Sequence, residues 1–182
     1  LPERWRRTAC RPLSERSEIY YTMTKDNIHI VWKISRVGEN PQPGEGGEHA
    51  RLLAERGFNS PFEEFAIAHF LSNNGVPTIY VRAIYMTGSH KTEPVTDPRR
   101  FESHRHLWAM DGLPILREDH NYISIRGYYN GPDAWVAAHK EFYRPFDLQR
   151  AVLEGILDDG EALKLLDVTR ARLRNLGYDG TL

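Results

Sequence analysis

Cysteine is almost missing from this sequence: its 182 residues hold one, Cys10. A single thiol excludes a disulfide framework and any cysteine-built zinc site, and it suits a reducing compartment such as the cytoplasm. Net charge is equally scarce, because 24 basic and 25 acidic side chains leave a formal charge of −1. That balance argues against a dedicated nucleic-acid binder, which carries a basic excess. No apolar run approaches the ~18–20 residues that a bilayer-spanning helix needs. Internal repeats and low-complexity tracts are lacking too. What is present is 40% hydrophobic and 11% aromatic residues, too apolar a mixture for a disordered chain. The length suits one domain, one able to bury about two thirds of its unfolded surface.

The chain divides into a basic arm over residues 1–16 and a single α+β domain over 17–182. In the arm, Trp5 stands among Arg4, Arg6 and Arg7, a pattern suited to lying on a partner or on the domain itself. Ser17 to Thr24 is aromatic and β-branched and predicts a strand. Ile28 to Ser35 alternates, with Ile28, Ile30, Trp32 and Ile34 on one face and His29, Val31 and Lys33 on the other. The polar turn Lys25-Asp26-Asn27 makes the two an antiparallel hairpin. Residues 37–47 carry two prolines and four glycines and predict a loop, followed by a short helix from Glu48 to Arg56 that ends at Gly57.

Ser60-Pro61-Phe62-Glu63 reads as a capping box with proline at the first helical position. The helix it starts stops at Gly75, with Phe62, Phe65, Ala66, His69 and Phe70 as its apolar stripe; on that stripe His69 reads as a core histidine. Val76 to Met86 is apolar on both faces apart from Arg82, as a central strand would be. A polar loop spans His90 to Arg100, and Phe101 to Trp108 suits a short helix. Asn121 to Tyr129 alternates as a strand, and helices are expected near Asp133 to Glu141, from Asp147 to Leu157, and from Asp159 or Gly160 to Leu176. The fold class is therefore α+β: an antiparallel sheet over 17–36 and 76–86, one capped helix packed on it, and a mostly helical second half over 87–182.

From Ser17 to Met86 this order resembles the small lobe of the protein-kinase-like phosphotransferase superfamily. The resemblance rests on Lys33 in the strand IVWKIS, on Glu64 (or Glu63) in the capped helix that follows, and on VPTIYVRAIYM as the next strand, leading towards a hinge. It implies that Lys33 meets nucleotide phosphates while the helix carboxylate holds its ammonium in place, with ATP and Mg²⁺ as the cofactors. The departures are specific. The turn Thr24-Lys25-Asp26-Asn27 carries no G-x-G-x-x-G, and the glycine-rich stretch follows the lysine instead of preceding it. No H-x-D-x-x-x-x-N loop and no D-F-G-like motif occurs in the sequence. The resemblance therefore implies a truncated or degenerate kinase-like module that binds nucleotide or acts as a scaffold.

Two other constellations compete. One is a non-enzymatic interaction subunit that docks through Tyr122, Tyr128, Tyr129 and Trp135 with Arg126, residue types favoured at interface hot spots, together with the arm at Trp5. The other is a loop metal site at His104 and His106, alternate residues that share a side on an extended segment, with His90, Glu102, Asp111, Asp119 and His120 near in sequence. Cys10, beside Arg7 and Arg11, has no base in its vicinity and makes a poor nucleophile.

Overall fold

The computed structural model describes residues 10–14, 17–40, 47–79, 81–87, 97–128 and 148–178. The expected helix at 133–141 and the site candidates Trp5, His90, Tyr129 and Trp135 lie outside them. Among the described residues five strands and five helices form a mixed α+β fold: β1 (Arg11–Pro12), β2 (Ile19–Met23), β3 (His29–Ile34), α1 (Glu48–Arg56), α2 (Pro61–Asn73), β4 (Val81–Met86), α3 (Arg99–His104), β5 (Tyr122–Gly127), α4 (Leu148–Leu153) and α5 (Asp159–Asn175). The sheet order is β1-β2-β3-β5-β4, and every pairing is antiparallel.

The hairpin forms where its alternation and turn predicted. Tyr21 pairs with Val31 and Ile19 with Lys33. The turn closes with Thr24 N–H donating to Ile28 O at 2.9 Å. Asn27 adopts φ 60° there, a left-handed conformation that asparagine tolerates better than most residues. In front of the hairpin the structure adds β1, which ties part of the arm to the sheet and makes the lysine-bearing strand the third in order. The segment joining β1 to β2, residues 13–18, is Leu-Ser-Glu-Arg-Ser-Glu and holds no glycine.

Two expectations about the sheet need correction. Val76 to Met86 is not a central strand: β4 covers Val81–Met86 only and lies at the edge, with Tyr85 60% exposed. The strand that enters the centre is β5, which pairs with β3 on one side and β4 on the other. The sheet is therefore not confined to 17–36 and 76–86, and 87–182 contributes one of its inner strands.

The capping box of α2 forms as predicted: Ser60 Oγ accepts from Glu63 N–H at 3.1 Å, and Glu63 Oε2 accepts from Ser60 N–H at 2.7 Å. Gly75, just past the helix, has φ 78°. The helix sits on the sheet by a different face from the expected stripe. Pro61, Glu64, Ala68 and Leu71, at helical spacing, are its less exposed positions, whereas Phe65, Ala66, His69 and Phe70 are exposed. Of the stripe, Phe62 alone packs against the core, which comprises Val37, Phe101, Leu116 and Tyr122 with Ile84 and Ile115 around them. His69 is a surface residue whose ring stacks on Phe65 and bonds Asn73. No described helix is long and apolar enough to cross a membrane.

The end of α1 is strapped to the start of α3. Arg99 donates to the α1 carbonyls of Ala54 and Glu55 at 2.8 and 2.5 Å, and Asp97 accepts from Arg99 Nε and Nη2 at 2.7 and 2.5 Å. The Arg99 guanidinium holds the Asp97 carboxyl below its ordinary range against the opposing effect of burial. Gly57 is required here: its φ is 72°, and a Cβ would lie 2.9 Å from Asp97 Oδ2.

Candidate functional site

Strand alternation decides which side chains can meet. Lys33 stands opposite Ser124 and Val31 opposite Arg126 across β3 and β5, and directly opposed residues share a face. Lys33, Val31, Ser124, Arg126 and, from β2, Tyr21 therefore occupy one side of the sheet, while Trp32 and Ile125 occupy the other. Helix α2 covers the first side. Capping fixes which of its two glutamates is available. Glu63, at the third helical position, is turned back onto Ser60 and also accepts from Arg100 at 2.6 Å. Glu64, one residue and about 100° further round the helix, faces the sheet.

Glu64 bridges two strands. Lys33 Nζ donates to its Oε1 at 2.5 Å, and Arg126 Nη2 donates to its Oε2 at 2.5 Å. All three side chains are about three-quarters shielded, so the charges meet in a medium less screening than water. Position near the N-terminus of α2 favours the carboxylate further, because the unpaired amides of a helix start carry partial positive charge. The pairing of Lys33 with Glu64 expected from the sequence is thus present. Glu63 is not the partner, for the capping reason just given. Arg126, read from the sequence only as part of a docking surface, belongs to this ionic cluster. Alternation in NYISIRGYY put it on the face of Tyr122 and Ser124, but no local signal says that this face would meet Lys33.

Along the same face an aromatic group adjoins the charges. Tyr21 Oη and His29 Nδ1 are 2.6 Å apart, and the ring of Tyr128 lies 4.7 Å from that of Tyr21 and 6.0 Å from that of His29. From Lys33 to His29 is four strand residues, about 13 Å at the usual rise. The arrangement is a cationic end and an aromatic end on one surface.

The histidine pair is not brought together. His104 and His106 do not lie on an extended segment, because α3 runs to His104 and a turn follows. His104 is 7% exposed and His106 is exposed. Both ring nitrogens of His104 are engaged: Nδ1 lies 3.1 Å from Arg100 O, a pure acceptor, and Nε2 lies 3.1 Å from Ser60 Oγ. Nδ1 also lies 2.8 Å from Ser103 Oγ. His104 therefore braces the cap of α2. His120 is also buried, with Nδ1 2.6 Å from Asp119 Oδ1, and His120 draws the Asp119 carboxyl below its ordinary range. Among the described residues no three His, Cys, Asp or Glu side chains converge as metal ligands. No such set is offered to Mg²⁺ among the described residues.

Tyr122 cannot dock a partner as proposed for it. It is 1% exposed, its hydroxyl accepts from Arg117 N–H at 2.6 Å and donates to Ile115 O at 3.1 Å, and Phe62 meets its ring edge-on. Tyr128 is partly buried against Tyr21.

Comparison with known protein families, with characterised proteins and with solved structures finds no match to this chain.

Proposed function

We propose that this chain is a kinase-like nucleotide-binding module in which Lys33 contacts the phosphates and Glu64 orients it. The observation that carries the reading is the 2.5 Å bond from a strand lysine to a carboxylate on the capped helix that follows it. A lysine on the third strand held by a helix glutamate is the arrangement that protein kinases use to position the α- and β-phosphates. Supporting it, the aromatic group at the far end of the same face offers π surfaces on which a base can stack. The glycine-free connection from β1 to β2 departs from a kinase phosphate-covering loop, so affinity would come from side chains rather than from backbone amides. ATP is the implied ligand; Lys33, Glu64 and the aromatic face are the residues that would hold it, and an accompanying Mg²⁺ would be carried by the phosphates themselves.

Calorimetric titration with Mg·ATP tests this. The wild type should bind, and Lys33→Met should weaken binding at least tenfold, the scale of one lost charge-assisted hydrogen bond. Absence of binding at millimolar nucleotide, or equal affinity in Lys33→Met, overturns the reading.

A second reading, an interaction subunit, is favoured by a different feature. Residues 107–115 fold back on themselves, with Ala109 N–H donating to Leu113 O and Ile115 N–H to Leu107 O. This turn exposes Leu107, Trp108, Met110 and Leu113, and exposed large apolar side chains gathered in one segment suit a contact surface. Trp108→Ser should abolish self-association or partner capture on this reading without changing nucleotide binding.

A further inference from the structure

The two consecutive glutamates at the start of α2 are held in the same way. Glu63 Oε1 accepts from Arg100 at 2.6 Å, while its Oε2 accepts from the Ser60 N–H at 2.7 Å and so closes the cap. Glu64 Oε2 accepts from Arg126 at 2.5 Å, while its Oε1 accepts from Lys33 at 2.5 Å. In each, an arginine occupies one oxygen and the other oxygen has a separate task. The terminal torsion of a glutamate is soft and roughly two-fold, so a carboxylate with one partner can turn and follow it. A second donor on the other oxygen removes that freedom. The two cations on Glu64 are unequal: Arg126 presents a rigid planar guanidinium on β5, and Lys33 a point charge on a flexible stem on β3. They stand diagonally across the strands, Lys33 opposite Ser124 and Arg126 opposite Val31, with Cβ atoms about 7–8 Å apart, and the Glu64 carboxylate bridges them. When Lys33 turns towards an anion, Arg126 stays on the carboxylate, so no unpaired charge is left in this shielded place.

From this we infer that Arg126 is the positioning residue of the Lys33 site: acting through Glu64, it fixes the carboxylate that aims the lysine ammonium and keeps that carboxylate paired when the lysine engages an anion. Arg126 itself touches no ligand. The inference rests on the nucleotide reading for the identity of the anion. The ordering of Lys33, in contrast, belongs to the unliganded chain and can be read with no ligand present.

Side-chain NMR relaxation on protein carrying isotope-labelled lysine reads that order directly, with the Lys33 ε-ammonium signal identified by its loss in Lys33→Met. Wild type is compared with Arg126→Met, Arg126→Lys, Glu64→Gln and the double variant of Glu64→Gln with Arg126→Met, and each is then titrated with Mg·ATP. Thermal midpoint and near-ultraviolet dichroism check that each variant is folded. In the wild type the Lys33 ammonium should be well ordered beside that of exposed Lys25. Arg126→Met should lose that order and weaken Mg·ATP about three- to tenfold, less than Lys33→Met does. Arg126→Lys restores a cation but not the planar fork, so it should fall between, and it carries the test if Arg126→Met does not fold. A merely structural role would lower the thermal midpoint and leave the Lys33 signal alone. In the Glu64→Gln background Arg126→Met should change neither reading further, because the link runs through the carboxylate. An ordered Lys33 in both arginine variants, or a wild-type Lys33 as mobile as Lys25, overturns the inference, and continued Mg·ATP binding then leaves the nucleotide reading standing. An Arg126 effect of equal size with and without Glu64 overturns it too, since the arginine would then act directly. Loss of Lys33 order on removing Arg126, with no Mg·ATP binding to the wild type, upholds the inference and overturns the nucleotide reading.

Discussion

Helices α2 and α5 begin in the same way and end up in different situations. Both open on a capping box, Ser60 with Glu63 in one and Asp158 with Glu161 in the other, so local chemistry starts each with comparable strength. Beyond the first turn they diverge. The cap of α2 is itself braced by His104 and Arg100, Pro61 and Ser60 are fully buried, and Glu64 is tied to two strands. Helix α5 buries no residue, exposes Leu163, Leu165 and Val168, and reaches α2 through Arg172 Nη1 donating to Gly75 O at 2.7 Å. The difference separates what a cap does from what packing does: a cap fixes where a helix starts, whereas tertiary contacts supply most of its stability in water.

The contrast can be broken most forcefully from the core side. Phe101→Ala removes a side chain that is 3% exposed among Val37, Leu116 and Tyr122. It should cost about 3–5 kcal/mol, read by denaturant titration, with the sheet and α2 lost together. Ser60→Ala comes next. It deletes the cap and leaves His104 Nε2 without its buried partner, for about 2 kcal/mol, while Asp158→Ala, a solvated cap, should cost about 0.5–1 kcal/mol. Equal costs for the two cap substitutions would erase the distinction drawn above.

Acid sharpens the comparison in a third place, the strap between α1 and α3. The folded pKa of Asp97 is depressed by Arg99, so its stabilisation is present above the unfolded value of about 3.9 and is lost as pH falls through the lower folded value. The stability gap between wild type and Asp97→Asn should be full at neutral pH and shrink below about pH 4. A gap independent of pH would mean that Asp97 acts through packing alone.

Features encoded over a few neighbouring residues were legible in the sequence: the β2–β3 hairpin through its alternation and polar turn, both helix starts and the stop before Gly75; the contact of Lys33 with Glu64, 31 residues apart, came from the resemblance instead, which left Glu63 as its alternative. Features decided by distant pairing were not. VPTIYVRAIYM is apolar enough for a central strand, yet YISIRG takes that place. Which of two apolar strands lies inside depends on what β3 pairs with, and no periodicity within either segment carries that information. Tyr122 was misread for a related reason. An aromatic residue suits an interface and a core equally, and the choice turned on Phe62 and Phe101 arriving against it. The face of α2 was misjudged because Glu64, a charged residue, points inward; only its partners Lys33 and Arg126 make that position tolerable.

The placement of β5 has a consequence in time. Its partner β3 ends at residue 34, and β5 begins at residue 122, so at common rates of synthesis about 4–18 s separate the emergence of the two strands. Throughout that interval the hairpin presents the edge of β3, with Ile30, Val31 and Trp32 in it, as an unpaired template of the kind that recruits foreign strands. The sheet closes only through this long-range pairing, which makes folding slow relative to helical domains of similar size. Yield of this protein should therefore respond more to chaperone supply and to the speed of translation over residues 35–121 than to any gain in the stability of the finished fold.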